Sequence, residues 1–101
     1  MLTGEETLEK LVCETTVEIK NAEGLHMRPA MKFVDLASRF PCDITVSNDE
    51  MKADAKSIMD LLTLGAVPGA QVTVSADGKD AQEALETIAN LVDRNFEEEG
   101  E

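Results

Sequence analysis

A two-layer open-faced α/β sandwich, one four-stranded sheet covered on a single face by three helices, is the fold this sequence predicts. Three observations carry it. Four stretches alternate apolar and polar residues at the two-residue period of a half-buried strand, two others repeat apolar residues at the period of a helix face, and a third is a short apolar helix stopped by glycine. They follow one another as strand, helix, strand, strand, helix, strand, helix. The outward strand residues, Thr16, Glu18, Lys20, Asp43, Thr45, Ser47, Lys52, Asp54, Gln71, Thr73 and Ser75, include no large apolar side chain, so one sheet face meets water and the other carries the helices.

The first strand covers Cys13 to Lys20, with Cys13, Thr15, Val17 and Ile19 on one face. Asn21 to Leu25 reads as a loop. A helix from about Met27 to Arg39 turns Ala30, Phe33, Val34, Ala37 and Phe40 inward, and Pro41 stops it. Pro41 to Ala55 reads as a hairpin, with Ile44 and Val46 facing in from one strand, Met51, Ala53 and Ala55 from the next, and Ser47-Asn48-Asp49-Glu50 as the turn. Ser57 to Leu64 is a short apolar helix ended by Gly65. Ala70 to Ala76 alternates again, placing Val72, Val74 and Ala76 on one face. After the turn Asp77-Gly78, Asp80-Ala81-Gln82-Glu83 resembles a capping box, opening a helix with Ala84, Leu85, Ile88, Leu91 and Val92 inward.

At 101 residues the chain suits one domain with one modest core. It has no apolar run near membrane-spanning length and no basic-then-apolar secretory start, so a soluble cytoplasmic location is expected. Cys13 and Cys42 lack metal-ligand spacing and read as reduced, small apolar residues. The net charge of −12 opposes association with nucleic acid or an anionic membrane surface. Much of that charge sits at the ends: residues 1–14 hold four glutamates and one lysine, and residues 97–101 hold four glutamates. Three segments are therefore expected: an acidic extension over 1–12, either a frayed helix or disordered, a domain over 13–96, and an acidic tail over 97–101.

Chemistry concentrates in Gly24-Leu25-His26-Met27-Arg28-Pro29-Ala30, where the sequence's single histidine precedes a helix and stands two residues before an arginine. A neutral imidazole is a nucleophile near neutral pH, and a helix start offers unpaired N–H groups and a positive dipole end to an anion. Arg28 adds a permanent planar cation suited to phosphate oxygens. Gly24 permits a tight turn, and Pro29 is tolerated in the first helical turn, where its missing N–H costs nothing. The stretch reads as a site that carries a phosphoryl group on His26, assisted by Arg28; on residue types alone, a solvated or capping histidine fits as well. The short helix holds Ile58, Met59, Leu61, Leu62 and Leu64, more apolar residues than one face can bury, so some are exposed. Ile58, Leu61 and Leu62 read as core. Met59 reads as docking surface, since a flexible thioether fits several partners; Ile58 beside it and Leu25 and Met27 around His26 are candidates to extend that patch. Ser57 reads as a helix cap.

Gly24-Leu25-His26-Met27-Arg28-Pro29-Ala30, followed by Lys56-Ser57-Ile58-Met59 and by Leu64-Gly65, resembles the HPr family, the phosphocarrier proteins of the bacterial phosphotransferase system. The likeness runs from about Thr15 to Phe96. It implies an antiparallel sheet in the order first, fourth, second, third, which alternation cannot supply. It also implies that His26 accepts phosphate on Nδ1 from phosphorylated enzyme I and donates it to a sugar-specific enzyme IIA component, with no cofactor and no metal. The family likeness further gives Ser57 a second role as the target of a regulatory serine kinase, with Asp60 standing where family members often have glycine. Two other classes share these residues: a regulatory HPr paralogue, serving a nitrogen-type phosphorelay or acting as a transcriptional co-effector, and an adaptor whose histidine is inert.

Overall fold

The computed structural model describes residues 12–22 and 24–96. Seven elements follow in the expected order: β1 (Val12–Glu18), α1 (Met27–Ala37), β2 (Asp43–Ser47), β3 (Lys52–Asp54), α2 (Ile58–Leu64), β4 (Gln71–Asp77) and α3 (Ala81–Asp93). Of the acidic end segments expected over 1–12 and 97–101, residues 1–11 and 97–101 lie outside the described residues, while Val12 already belongs to β1.

The sheet order is β1-β4-β2-β3, and every neighbouring pair is antiparallel. The last strand of the chain thus lies between the first and second. Register explains the two faces. Thr15, Val74, Val46 and Ala53 stand opposite one another across all four strands on the covered face, and Thr16, Thr73, Ser47 and Lys52 do so on the open face. Val46, Val74 and Ala53 are buried, whereas Thr16 and Lys52 are exposed. On the open face the Thr16 and Thr73 hydroxyls lie 3.4 Å apart, within hydrogen-bonding distance.

The helices cover the other face. α3 lies over β1 and β4, α2 packs against β3, and α1 packs against both other helices. Phe33, Ala30 and Ala37 of α1, Leu61 and Leu64 of α2, and Ala84, Leu85, Ile88, Leu91 and Val92 of α3 close the core. Among the described residues no polar or charged residue is buried as a whole. None of the described helices is long and apolar enough to cross a membrane.

Four boundaries depart from the sequence reading. β1 ends at Glu18: the Ile19 N–H still donates in register to the Ala70 carbonyl at 2.9 Å, but the Ala70 N–H turns away to Val67 O, and the Ile19 carbonyl accepts from Gly69 instead. α1 ends at Ala37, and the chain then tightens: the Arg39 and Phe40 N–H groups donate to Leu36 and Ala37, each three residues back. β4 starts at Gln71 and continues to Asp77. At α3 the expected capping box does not form. Asp80 has φ 65°, and its side chain accepts no cap hydrogen bond; a capping side chain needs extended backbone to reach the next turn's N–H groups. The C-terminal end of α3 has a closing device of its own. The Asn95 N–H donates to Val92 O and the Phe96 N–H to Leu91 O, with Asn95 in the left-handed region and Phe96 buried beneath the helix.

Two polar links tie the ends of the layer. Lys32 Nζ donates to the Phe96 carbonyl at 2.8 Å, joining α1 to the end of α3, and Lys56 Nζ donates to the Phe40 carbonyl at 2.8 Å. Lys20 and Asp93 form an exposed ion pair at 2.9 Å. The hydrogen bond and charge of Lys20 hold the Asp93 carboxyl below its ordinary pKa, and Asp93 raises that of Lys20. Stability from this pair is present above the ordinary carboxylate range and is lost as pH falls through the lowered Asp93 value; it is lost again as pH rises through the raised Lys20 value.

Phe33 is fully buried at the centre of the helix layer. Phe33→Ala should therefore lower unfolding free energy by about 3–5 kcal/mol, as deletion of a buried ring does. Urea denaturation checks this, and a loss below about 1 kcal/mol would place the core elsewhere.

Candidate functional site

Two loops meet to build the site. The first, entering α1, runs beside the loop that leads into β4: the Leu25 N–H donates to Ala66 O at 2.9 Å, the Gly69 N–H to Ile19 O at 2.7 Å, and the Ile19 N–H to Ala70 O. The first loop is also closed on itself, since the Gly24 N–H donates to Asn21 O at 3.2 Å and Asn21 Nδ2 donates to Gly24 O at 2.9 Å. Gly24 has φ 68°, and a Cβ there would lie 2.5 Å from the Ala66 carbonyl oxygen. Both the left-handed backbone and the close approach require glycine.

This clamp delivers His26 to the N-cap of α1. His26 has extended backbone, its carbonyl accepts the first helical bond from the Ala30 N–H at 2.9 Å, and its side chain makes no cap hydrogen bond. The imidazole is exposed and uncommitted among the described residues. Pro29 has no N–H, so the donors free to meet an anion at this helix start are those of Met27 and Arg28. Pro29 itself is buried and anchors the turn.

His26 lines an open groove of ≈ 570 Å³ with Leu25, Met27, Leu62, Val67 and Pro68. Arg28 lines a separate depression of ≈ 350 Å³ with Asn21, Pro29, Lys32 and Phe96. Histidine and arginine therefore share one helix start but face neighbouring hollows. The Arg28 side chain is exposed and has no hydrogen bond or ion pair among the described residues, which leaves it able to turn toward an anion at the helix start.

The apolar rim differs in part from expectation. Met27 is 55 % exposed and Met59 67 %, whereas Ile58 is half-buried and packs on the core. Leu25 is a correction. It is only 2 % exposed, because its N–H is bound to Ala66 and the paired loops press its side chain into the core. Two further exposed apolar residues extend the rim, Met31 at 57 % and Val67 at 63 %. Met31 was legible: it lies one turn after Met27 and outside the inward set of α1. Val67 was not, since only the loop pairing brings it to the His26 groove.

Ser57 is the N-cap of α2, its hydroxyl accepting from the Asp60 N–H at 3.3 Å. Asp60 carries structure of its own, as its Oδ2 accepts from the Asp54 N–H at 3.0 Å and so ties the end of β3 to α2. Gly65, at φ 59°, closes the helix, its N–H donating to Leu61 O. Neither cysteine lines the His26 groove or the Arg28 depression. Cys13 and Cys42 are both free, and burial pushes the Cys42 thiol pKa up.

A family model described as "PTS HPr component phosphorylation site" matches residues 13–94. The chain belongs to the HPr family of phosphocarrier proteins. It is 48 % identical over 81 residues to the phosphocarrier protein HPr of Vibrio cholerae, covering 80 % of this chain and 95 % of that one. To the HPr-like protein Crh of Bacillus subtilis it is 46 % identical over 76 residues, 75 % of this chain and 89 % of the relative. The crystal structure of HPr-C-His from Thermoanaerobacter tengcongensis superposes with a TM-score of 0.82 at 46 % identity, over 86 % of this chain and 98 % of that one. The four-stranded antiparallel open sandwich is thus the HPr fold.

The clamp between the HPr loops gives a direct test. Gly24→Ala should cost about 1–2 kcal/mol from the left-handed backbone alone, and more from the contact with Ala66. Faster amide exchange at Leu25 should accompany the loss. An unchanged melting temperature would show that the two loops are not held by this approach.

Proposed function

We propose that this chain carries phosphoryl groups on His26, taking them from enzyme I and passing them to sugar-specific enzyme IIA components. The observation that carries this reading is the exposed, uncommitted imidazole at the N-cap of α1. A ring nitrogen attacks phosphorus while the bond to the donor breaks; by family likeness that nitrogen is Nδ1. The phosphoryl oxygens then accept from the Met27 and Arg28 N–H groups, and the Arg28 guanidinium turns to neutralise them. A phosphoryl group on nitrogen is readily passed on, and an exposed helix start lets donor and acceptor reach it in turn.

The surrounding rim supplies the second requirement. Met27, Met59 and Val67 are apolar and exposed, so a partner docking over His26 excludes water there. In the drier interface the charge of Arg28 and the helix start act more strongly on the moving group. The identity to Crh, a relative described as a catabolite repression HPr, is close to that with HPr and favours a second reading: a regulatory paralogue that keeps the fold and His26 without carrying sugar flux.

One experiment separates the two. The chain is charged with enzyme I and phosphoenolpyruvate and then mixed with a sugar-type enzyme IIA. Rapid passage of phosphate to that component is expected for a carrier of sugar flux. Charging without passage would leave the regulatory reading, and no charging would overturn both. In the same assay Arg28→Ala should slow charging about tenfold to a hundredfold, the scale of a charged hydrogen bond of about 1.5–3 kcal/mol. Its melting temperature should not change, since Arg28 is exposed and unpaired among the described residues. An unaltered charging rate would remove Arg28 from the chemistry.

A further inference from the structure

Four large apolar side chains are exposed among the described residues, and three of them are methionines: Met27, Met31 and Met59. Their placement is not scattered. Met27 and Met31 are one turn apart on α1, so they share a face, and Met59 lies at the start of α2, which packs against α1. Met27 also follows His26 directly and lines the same groove. Met51, in contrast, is half-buried and packs on the core.

A leucine would make an equally apolar rim but would be inert to mild oxidants. A thioether is not. We propose that Met27, Met31 and Met59 form a reversible oxidation site, and that their sulfoxides switch off docking at His26. The inference rests on the reading that this face receives enzyme I. A sulfur lone pair attacks the outer oxygen of a hydroperoxide, the O–O bond breaks, and sulfur loses two electrons while the peroxide leaves as water or an alcohol. The product is polar, chiral and a strong hydrogen-bond acceptor. Buried against an apolar partner surface, it loses its water without regaining a donor. Repair by a thiol-dependent reductase returns the thioether, the sulfoxide oxygen leaving as water while two thiols become a disulfide. The fold is spared, because these three side chains point into solvent and not into the core.

The test treats the full chain with hydrogen peroxide, then with a thiol reductant so that reversible oxidation of Cys13 or Cys42 is cleared. Peptide mass spectrometry should find sulfoxide at Met27, Met31 and Met59 before Met51. Enzyme I binding and charging from phosphoenolpyruvate are then measured on treated and untreated protein. Affinity should fall about tenfold, equivalent to about 1.4 kcal/mol, with charging at low enzyme I falling in step. Both methionine sulfoxide reductases, one for each sulfoxide epimer, should restore them. In the M27L/M31L/M59L variant the treated sample should match its own untreated sample within about twofold, whatever its starting rate. Undiminished binding with three sulfoxides present would overturn the proposal, as would an equal loss in the triple variant. Untreated protein that binds enzyme I but is never charged would instead overturn the phosphocarrier reading, with binding still reporting on oxidation; untreated protein that does not bind would overturn both.

Discussion

Everything in this molecule hangs on the insertion of β4 between β1 and β2. Until that strand arrives, β1 and β2 have no shared neighbour, and the apolar residues of both face an incomplete layer. Val72, Val74 and Ala76 complete it from the centre of the sheet. The loop that feeds β4 does a second task on the way in, since its Ala66 and Ala70 carbonyls take the N–H groups of Leu25 and Ile19. The strand that closes the core thereby also clamps the loop that presents His26. Stability and function share this point of attachment, and Gly24 is the residue whose missing side chain permits it.

Much of the architecture was legible because burial follows local period. The alternation of β2 and β4 and the inward residues of α1 and α3 were read correctly from the chain, as was the open polar face of the sheet. Ser57 and Gly65 announced the ends of α2 by residue type and act there as caps. Strand order was not legible from period, which says which face is buried and nothing about which strand is the neighbour; it came from family likeness. Asp80 shows the opposite failure. Its spacing to Glu83 matches a capping box, but after the turn at Gly78 Asp80 has a left-handed backbone, and its carboxylate makes no cap hydrogen bond. Leu25 was misread for a related reason: a loop residue beside an exposed histidine looks exposed until a second, distant loop is known to lie against it.

The site separates two kinds of work. Position comes from apolar packing and backbone hydrogen bonds, through buried Leu25 and Pro29 on either side of an exposed His26. Charge comes from Arg28 and the helix start, both left uncommitted among the described residues. On the proposed function, residues with a structural task are thus not those that change partners during transfer. Asp60 has taken a structural task, holding β3 to α2, so a phosphate on the Ser57 hydroxyl would meet a carboxylate already engaged nearby. On the proposed function, the exposed methionines of the rim are what excludes water when a partner arrives.

The central claim is that His26 alone receives the phosphoryl group. Nitrogen-15 NMR of the chain charged by enzyme I and phosphoenolpyruvate tests it most directly, by reading which ring nitrogen is modified and whether the bond is acid-labile. The account predicts a single acid-labile phosphate on the His26 imidazole, at Nδ1, and no incorporation in His26→Ala. An acid-stable phosphate, or undiminished labelling of the His26→Ala variant, would contradict it.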